Sequence, residues 1–279
     1  MTRSFSQVDV FATQGLSGNP VAVVHDAQGL EDAEMQAFAN WTNLSETTFL
    51  LPPTNDAADY RVRIFTPGQE LPFAGHPTLG TAHAWRERGG ELRRPGTIVQ
   101  ECGIGLVELR ETAGGELAFA APELTRTGPL GDAELEHALA ALGLDRSRVL
   151  AAEWIDNGPG WRGLLLESAE DVLGIEPDLA AFGDAKLTVI GPHAEGGPAD
   201  FEVRAFAPGI GVGEDPVTGS ANAGFAVWLT RTGRVDGAYT VRQGTALGRA
   251  GEVTVARDES GILWIGGASR TIVRGEVAL

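Results

Sequence analysis

Val62-Arg63-Ile64-Phe65-Thr66-Pro67-Gly68, followed after a short loop by Gly75-His76-Pro77-Thr78-Leu79-Gly80-Thr81-Ala82-His83-Ala84, decides the fold because the chain repeats it. The second copy reads Val203-Arg204-Ala205-Phe206-Ala207-Pro208-Gly209, then Asp215-Pro216-Val217-Thr218-Gly219-Ser220-Ala221-Asn222-Ala223. With Phe65 over Phe206 and Pro67 over Pro208, a two-residue gap puts Pro77 on Pro216 and Gly80 on Gly219. Each copy reads as a strand, a Gly/Pro turn and a helix opening on a proline, whose missing N–H would be unpaired at the first helical position anyway. A repeat separated by about half the chain predicts two lobes with a site between them.

Working outward, Phe5 to Phe11 alternates polar and apolar residues, Val21 to Val24 follows a turn cluster, and Phe49 to Leu51 ends the run that begins at Asn43; all read as strands. Leu30 to Trp41 has helical spacing. The first repeat helix is expected from Pro77 to about Arg88, closed by Gly89-Gly90. Thr97–Glu101 and Leu106–Arg110 form a hairpin, Glu116–Ala120 a further strand, and 122–131 a linker. Beyond it Asp132–Leu142 is an amphipathic helix, and the second repeat helix is expected from Pro216 to about Arg231 with Asp215 as its N-cap. Short strands fill the remainder. Helices do not alternate with strands as a doubly wound sheet requires, so the fold class is α+β: two similar lobes, each a mostly antiparallel or mixed sheet curled around a central helix. The lobes are placed at 1–124 and 125–279, the last strand (about 268–279) being free to return to the first.

Composition narrows the function. Hydrophobic content of 43% with 21% charged residues is that of a globular chain, not a disordered one. A formal charge of −17 argues against nucleic acid as a partner. The only lysine is Lys186, the other basic residues being Arg; this reads as a compositional bias without mechanism. One cysteine, Cys102, permits neither an internal disulfide nor a cysteine-based metal cluster. There is no apolar run of signal or membrane-span length, which makes a cytoplasmic location with no membrane partner the expectation.

The two helix starts carry the strongest chemical signal. A first helical turn offers unpaired N–H groups and the positive end of the helix dipole, both suited to carboxylate or enolate oxygen. Gly75 and Gly219 allow close backbone approach there, as do Gly80 and Gly213. His76 and Asp215 hold the same place in the aligned repeat, just before the proline, where an imidazole and a carboxylate suit proton transfer. Asp215 reads equally well as a plain N-cap. Glu46, in Ser45-Glu46-Thr47-Thr48 at the entry to an apolar strand, is placed for partial desolvation and a raised pKa. As one of 38 acidic residues it is not singled out by sequence alone.

Sharper motifs fail. Gly209-Ile210-Gly211-Val212-Gly213 imitates a dinucleotide fingerprint, but Glu214 falls on the third glycine. His76 and His83 are two turns apart, too far for a helical metal pair, and no metal site is assigned. Ser220, His76 and Asp215 can be written as a hydrolase triad, yet Gly-Ser-Ala-Asn is no nucleophile elbow.

Glu46, Gly75-His76-Pro77 and Glu214-Asp215-Pro216-Val217-Thr218-Gly219-Ser220-Ala221 resemble the phenazine-biosynthesis PhzF-like isomerases, and the likeness extends to Gly18-Asn19-Pro20-Val21-Ala22-Val23, Gln243-Gly244 and Gly248-Arg249. The resemblance implies the diaminopimelate-epimerase-like fold, a site between the lobes, no cofactor, a small carboxylate-bearing substrate and a homodimer. It implies that Glu46 is the catalytic acid/base and that His76, Asp215 and Ser220 hold substrate and assist proton movement, with Ser45, Gly75 and Gly219 beside them. With His76 and Asp215 near the helix starts where that epimerase has its two cysteines, a two-thiol mechanism is excluded and Cys102 is expected to be inert. A silent ligand-binding or regulatory protein, or a lyase or hydrolase reusing the pocket, are the alternatives.

Overall fold

The computed structural model describes residues 1–112 and 114–279 and divides the chain into two compact units, Met1–Ala120 with Gly266–Leu279, and Ala121–Ile265. The first unit contains β1 (Thr2–Val10), β2 (Asn19–Val24), α1 (Asp32–Thr42), β3 (Glu46–Leu51), β4 (Tyr60–Phe65), β5 (Glu70–Leu71), α2 (Gly75–Glu87), β6 (Thr97–Cys102), β7 (Gly105–Glu111) and β8 (Leu117–Ala120). β4 alternates as a half-buried strand should: Tyr60, Val62 and Ile64 are buried and Arg61 and Arg63 are not. β1 pairs antiparallel with β2, β2 parallel with β3, β3 antiparallel with β4, and β4 both antiparallel with β5 and parallel with β6. The free edge of β1 is taken by residues from the far end of the chain, Ser269–Ala278.

The second unit holds β9 (Arg126–Pro129), α3 (Asp132–Leu142), β10 (Val149–Asp156), β11 (Trp161–Leu166), α4 (Ala169–Leu173), β12 (Lys186–Pro192), β13 (Phe201–Ala207), β14 (Val212–Asp215), α5 (Gly219–Arg231), β15 (Tyr239–Gln243) and β16 (Gly251–Arg257). Within β17 (Leu263–Gly267) the chain crosses back to the first unit, where Ser269–Ala278 is β18. The wiring repeats: β10 is antiparallel to β11, β11 parallel to β12, β12 antiparallel to β13, and β13 antiparallel to β14 and parallel to β15. The α+β class with a mostly antiparallel sheet curled around a helix describes each unit.

Each sheet has two covered faces. On one face of the first, α2 packs against β1, β2, β3, β6, β8 and β18; on the other, Met35, Phe38 and Ala39 of α1 pack with Val24, Phe49 and Phe65. In the second unit α5 packs against β10, β11 and β16, while Ala138, Leu139, Ala141 and Leu142 of α3 join Leu164, Leu166, Leu187, Val189 and Phe206 on the opposite face. Burying a side chain such as Phe49 or Phe206 contributes roughly 1.5–3 kcal/mol. The central helices approach their strands closely at matching glycines. A Cβ on Gly80 would lie 2.4 Å from Val21 Cγ1, and one on Gly224 2.6 Å from the Ile155 carbonyl oxygen.

Three expectations are corrected. The region 122–131 is not a plain linker: Arg126–Pro129 pairs with β10 as β18 pairs with β1. α2 begins at Gly75 and not Pro77, so the proline is its third residue; any first-turn position tolerates a missing N–H because none of those groups has an intrahelical acceptor. α5 begins at Gly219, with Thr218 as N-cap, and Asp215 is the last residue of β14, opposite Ala205. Among the described residues, no helix is long and apolar enough to cross a membrane.

Candidate active site

In the first unit the sheet delivers Glu46 to the start of α2. Glu46 is the first residue of β3, registered beside Val21 of β2, and Val21 is the side chain against which Gly80 of α2 packs. Its carboxylate therefore leaves the sheet on the α2 face, and Glu46 Oε2 lies 3.4 Å from His76 Nδ1. The two side chains are 15% and 5% exposed, so the carboxylate keeps an opening that the imidazole lacks. Burial pulls the His76 pKa down to about 3, against a smaller upward pull from a hydrogen bond to the Pro20 backbone. His76 is thus a neutral imidazole at physiological pH, and the contact is a carboxylate against a neutral ring. Gly75 is buried in the first turn of α2, and Ser45 is half-buried immediately before β3.

In the second unit Asp215, Gly219 and Ser220 gather at the start of α5. The Asp215 carboxylate accepts a hydrogen bond from the Thr218 hydroxyl at 2.6 Å, so it steadies the residue that caps the helix. Gln243 of β15 ties the same turn down: its Oε1 accepts from Thr218 N and Asn222 Nδ2, and its Nε2 donates to the Asp215 carbonyl and Thr218 Oγ1. The Ser220 hydroxyl accepts from the Trp161 indole at 2.9 Å, and the Ser220 carbonyl accepts from Asn157 Nδ2 at 2.9 Å. Sequence reading missed Asn157, in a loop without a motif, and Trp161, the first residue of β11; Gln243 was visible only as part of the resemblance.

The register also revises the repeat. α2 and α5 are both 13 residues long, and aligning their starts puts Gly75 on Gly219, Gly80 on Gly224 and His76 on Ser220. Asp215 instead matches Leu71, since Asp215 faces Ala205 as Leu71 faces Ile64. The proline-based alignment fails because the connection between the two paired strands is longer in the second copy: Arg63 and Glu70 are 7 residues apart, Arg204 and Glu214 10. Another shared feature emerges from the correct register: Arg63 grips Glu70 through Nε and NH2 at 2.7 and 2.6 Å, and Arg204 grips Glu214 the same way at 2.9 and 2.8 Å. Glu214, the residue that spoiled the dinucleotide fingerprint, is half of an ion pair. Cys102 is half-buried, and burial pushes its thiol pKa up, away from reactivity.

Comparison with known proteins bears on the family and the fold. Residues 8–275 match the family described as Phenazine biosynthesis-like protein, PhzC-PhzF. The chain is 40% identical to Antisense-enhancing sequence 1 of Schizosaccharomyces pombe, with 98% of each chain covered. It is 39% identical to trans-2,3-dihydro-3-hydroxyanthranilate isomerase of Pseudomonas fluorescens, over 87% of this chain and 86% of that one. Among solved structures it is similar to the Bacillus anthracis phenazine biosynthesis protein of the PhzF family, with a TM-score of 0.83, 27% identity and full coverage of both chains. With its family matched over nearly its whole length and its fold shared throughout, the chain belongs to the phenazine biosynthesis-like (PhzF) family and is an isomerase.

Proposed function

We propose that this isomerase moves a proton within a small carboxylate-bearing substrate, without a cofactor, using Glu46 as the general acid/base. The observation that carries the reading is the Glu46–His76 contact: a partly open carboxylate held 3.4 Å from a buried neutral ring at a helix start. In the proposed cycle the Glu46 carboxylate takes a proton from a carbon conjugated to the substrate's acid group. The electron pair moves into that conjugated system as an enolate, and the protonated Glu46 returns the proton to a different carbon, so that substrate and product differ only in where one hydrogen and the double bonds lie. No electron acceptor is required. The first-turn N–H groups of the central helices favour the negative charge as it develops, a stabilisation that grows only in the transition state. Asp215 and Ser220 hold substrate and assist proton movement; Gly75, Gly219 and Ser45 line the approach. The Pseudomonas fluorescens relative is named for a small cyclic amino acid of this kind, which makes trans-2,3-dihydro-3-hydroxyanthranilate the first probe.

The test is proton exchange and turnover with that probe in deuterated water. The wild type is expected to place solvent deuterium in the product to the extent that the partly open Glu46 exchanges its proton before returning it, and Glu46→Gln to turn over about 10²–10⁴-fold more slowly with little change in thermal stability. Full turnover by Glu46→Gln would sink the assignment of the base.

A further inference from the structure

Glu46 has a counterpart that the proposed chemistry leaves unused. β3 pairs with β4 through Thr47 opposite Phe65, and β12 pairs with β13 through Leu187 opposite Phe206. One residue earlier on each strand, β3 has Glu46 beside Val21 and β12 has Lys186 beside Trp161, both across parallel pairs. Lys186, the chain's only lysine, therefore stands in the second unit where the proposed base stands in the first.

We infer that Lys186 is the residue that recognises the substrate's carboxylate, its ammonium taking that group beside Ser220 at the start of α5. The inference rests on the isomerase reading above. Its geometry has three parts. Neighbours in register across a sheet leave it on the same face, and Trp161 reaches Ser220 of α5, so Lys186 leaves β12 on the α5 side. The rest of the strand agrees: Leu187 and Val189 join the core on the α3 face, whereas Gly163, registered beside Thr188, faces Phe225 of α5. Finally, the ammonium is half-buried and takes part in no hydrogen bond or ion pair among the described residues. Burial draws its pKa down from 10.5, while the Asp156 carboxylate acts in the opposite sense from a distance. Asp156 is itself occupied, its Oδ1 accepting from the Gly158 and Gly160 N–H groups at 2.8 and 2.6 Å. A half-buried cation with no partner gains more from an incoming carboxylate than a solvated surface lysine would. An ammonium does not take a proton from carbon. At this position the second unit has a group suited to binding charge where the first has one suited to moving a proton.

The test compares the binding of anthranilate with that of its neutral amide, anthranilamide, by calorimetry. The wild type should prefer the acid by about tenfold or more. Lys186→Met should erase the preference and raise KM for the dihydro probe with kcat nearly unchanged, and Lys186→Arg should keep both near wild type. Should Lys186→Met fail to fold, Lys186→Gln gives the same comparison with a polar end. Retention of the acid preference by either neutral variant, or its absence from the wild type, overturns the inference. Turnover of the dihydro probe by Glu46→Gln is read in parallel. Full turnover strikes the Glu46 assignment and not the lysine, so the two failures are distinguishable.

Discussion

The two units share their strand wiring, the length of their central helix, a glycine on that helix pressed against the sheet, and an Arg–Glu pair in one register. They differ where chemistry is expected. At one matching sheet position the first has Glu46 and the second Lys186; at the second residue of the helix, one has His76 and the other Ser220. The scaffold is duplicated and the side chains at these two positions are not.

The strongest way to break this comparison is through the shared ion pair, because its two copies differ in burial. Arg204 and Glu214 are 5% and 11% exposed, and Arg204 also donates to the Val172 and Ile175 carbonyls; Arg63 and Glu70 are 20% and 41% exposed. Arg204→Met strands a buried carboxylate and should cost about 3–5 kcal/mol, whereas Arg63→Met should cost about 1 kcal/mol or less. Chemical denaturation of both variants checks this, and equal losses would show that burial does not separate the pairs. The matched glycines come next. Gly224→Ala would drive a methyl into the Ile155 carbonyl and Gly80→Ala into Val21 and Val10, each expected to lose about 1–3 kcal/mol despite the gain in helix propensity. A tolerated Gly80→Ala would mean that close helix–sheet approach is required in only one unit.

The smallest expected effect is in pH. His25 donates to or accepts from Ser6 Oγ at 3.0 Å, and burial is the main cause of a pKa lowered to about 4. The unfolded chain then binds more protons from about pH 6.5 down to 4, so stability is full above that range and falls as pH drops through it. In the second unit, burial raises the Glu202 pKa despite its hydrogen bond with His193, so its contribution runs the other way and is lost as pH rises through the raised value. Melting curves of His25→Gln should be flatter than wild type from pH 6.5 to 4, by on the order of 1–2 kcal/mol, while Glu202→Gln should make that acid loss steeper.

Much of this was legible beforehand because it is periodic. The helix Asp132–Leu142 was read with the bounds it has, marked by regular spacing of apolar residues. What failed depended on reading side-chain punctuation as geometry. Pro77 and Pro216 look like matching helix starts, yet one lies inside a helix and the other before one. Matching them hid the correspondence of His76 with Ser220 and assigned Asp215 a capping role that belongs to Thr218. Arg126–Pro129 looks like a linker because a short edge strand can be built from turn-forming residues when its partner, β10, supplies the order. Glu46 could be singled out only by resemblance: its place beside His76 depends on pairing two strands and a helix that are distant in sequence. Lys186 carried no signal at all until the register was known.

The pairing of β1 with β18 has a consequence for how the molecule is made. The second unit is one continuous segment, so everything it needs has been synthesised once residue 265 is in place. The first unit is not: Phe5 lies opposite Gly275, and its founding strand has an open edge for most of translation. Closing so long a loop is slow and adds little stability until the last strand docks. The segment made later is therefore expected to fold first. Truncation before Ser269 would accordingly damage the half of the protein made first.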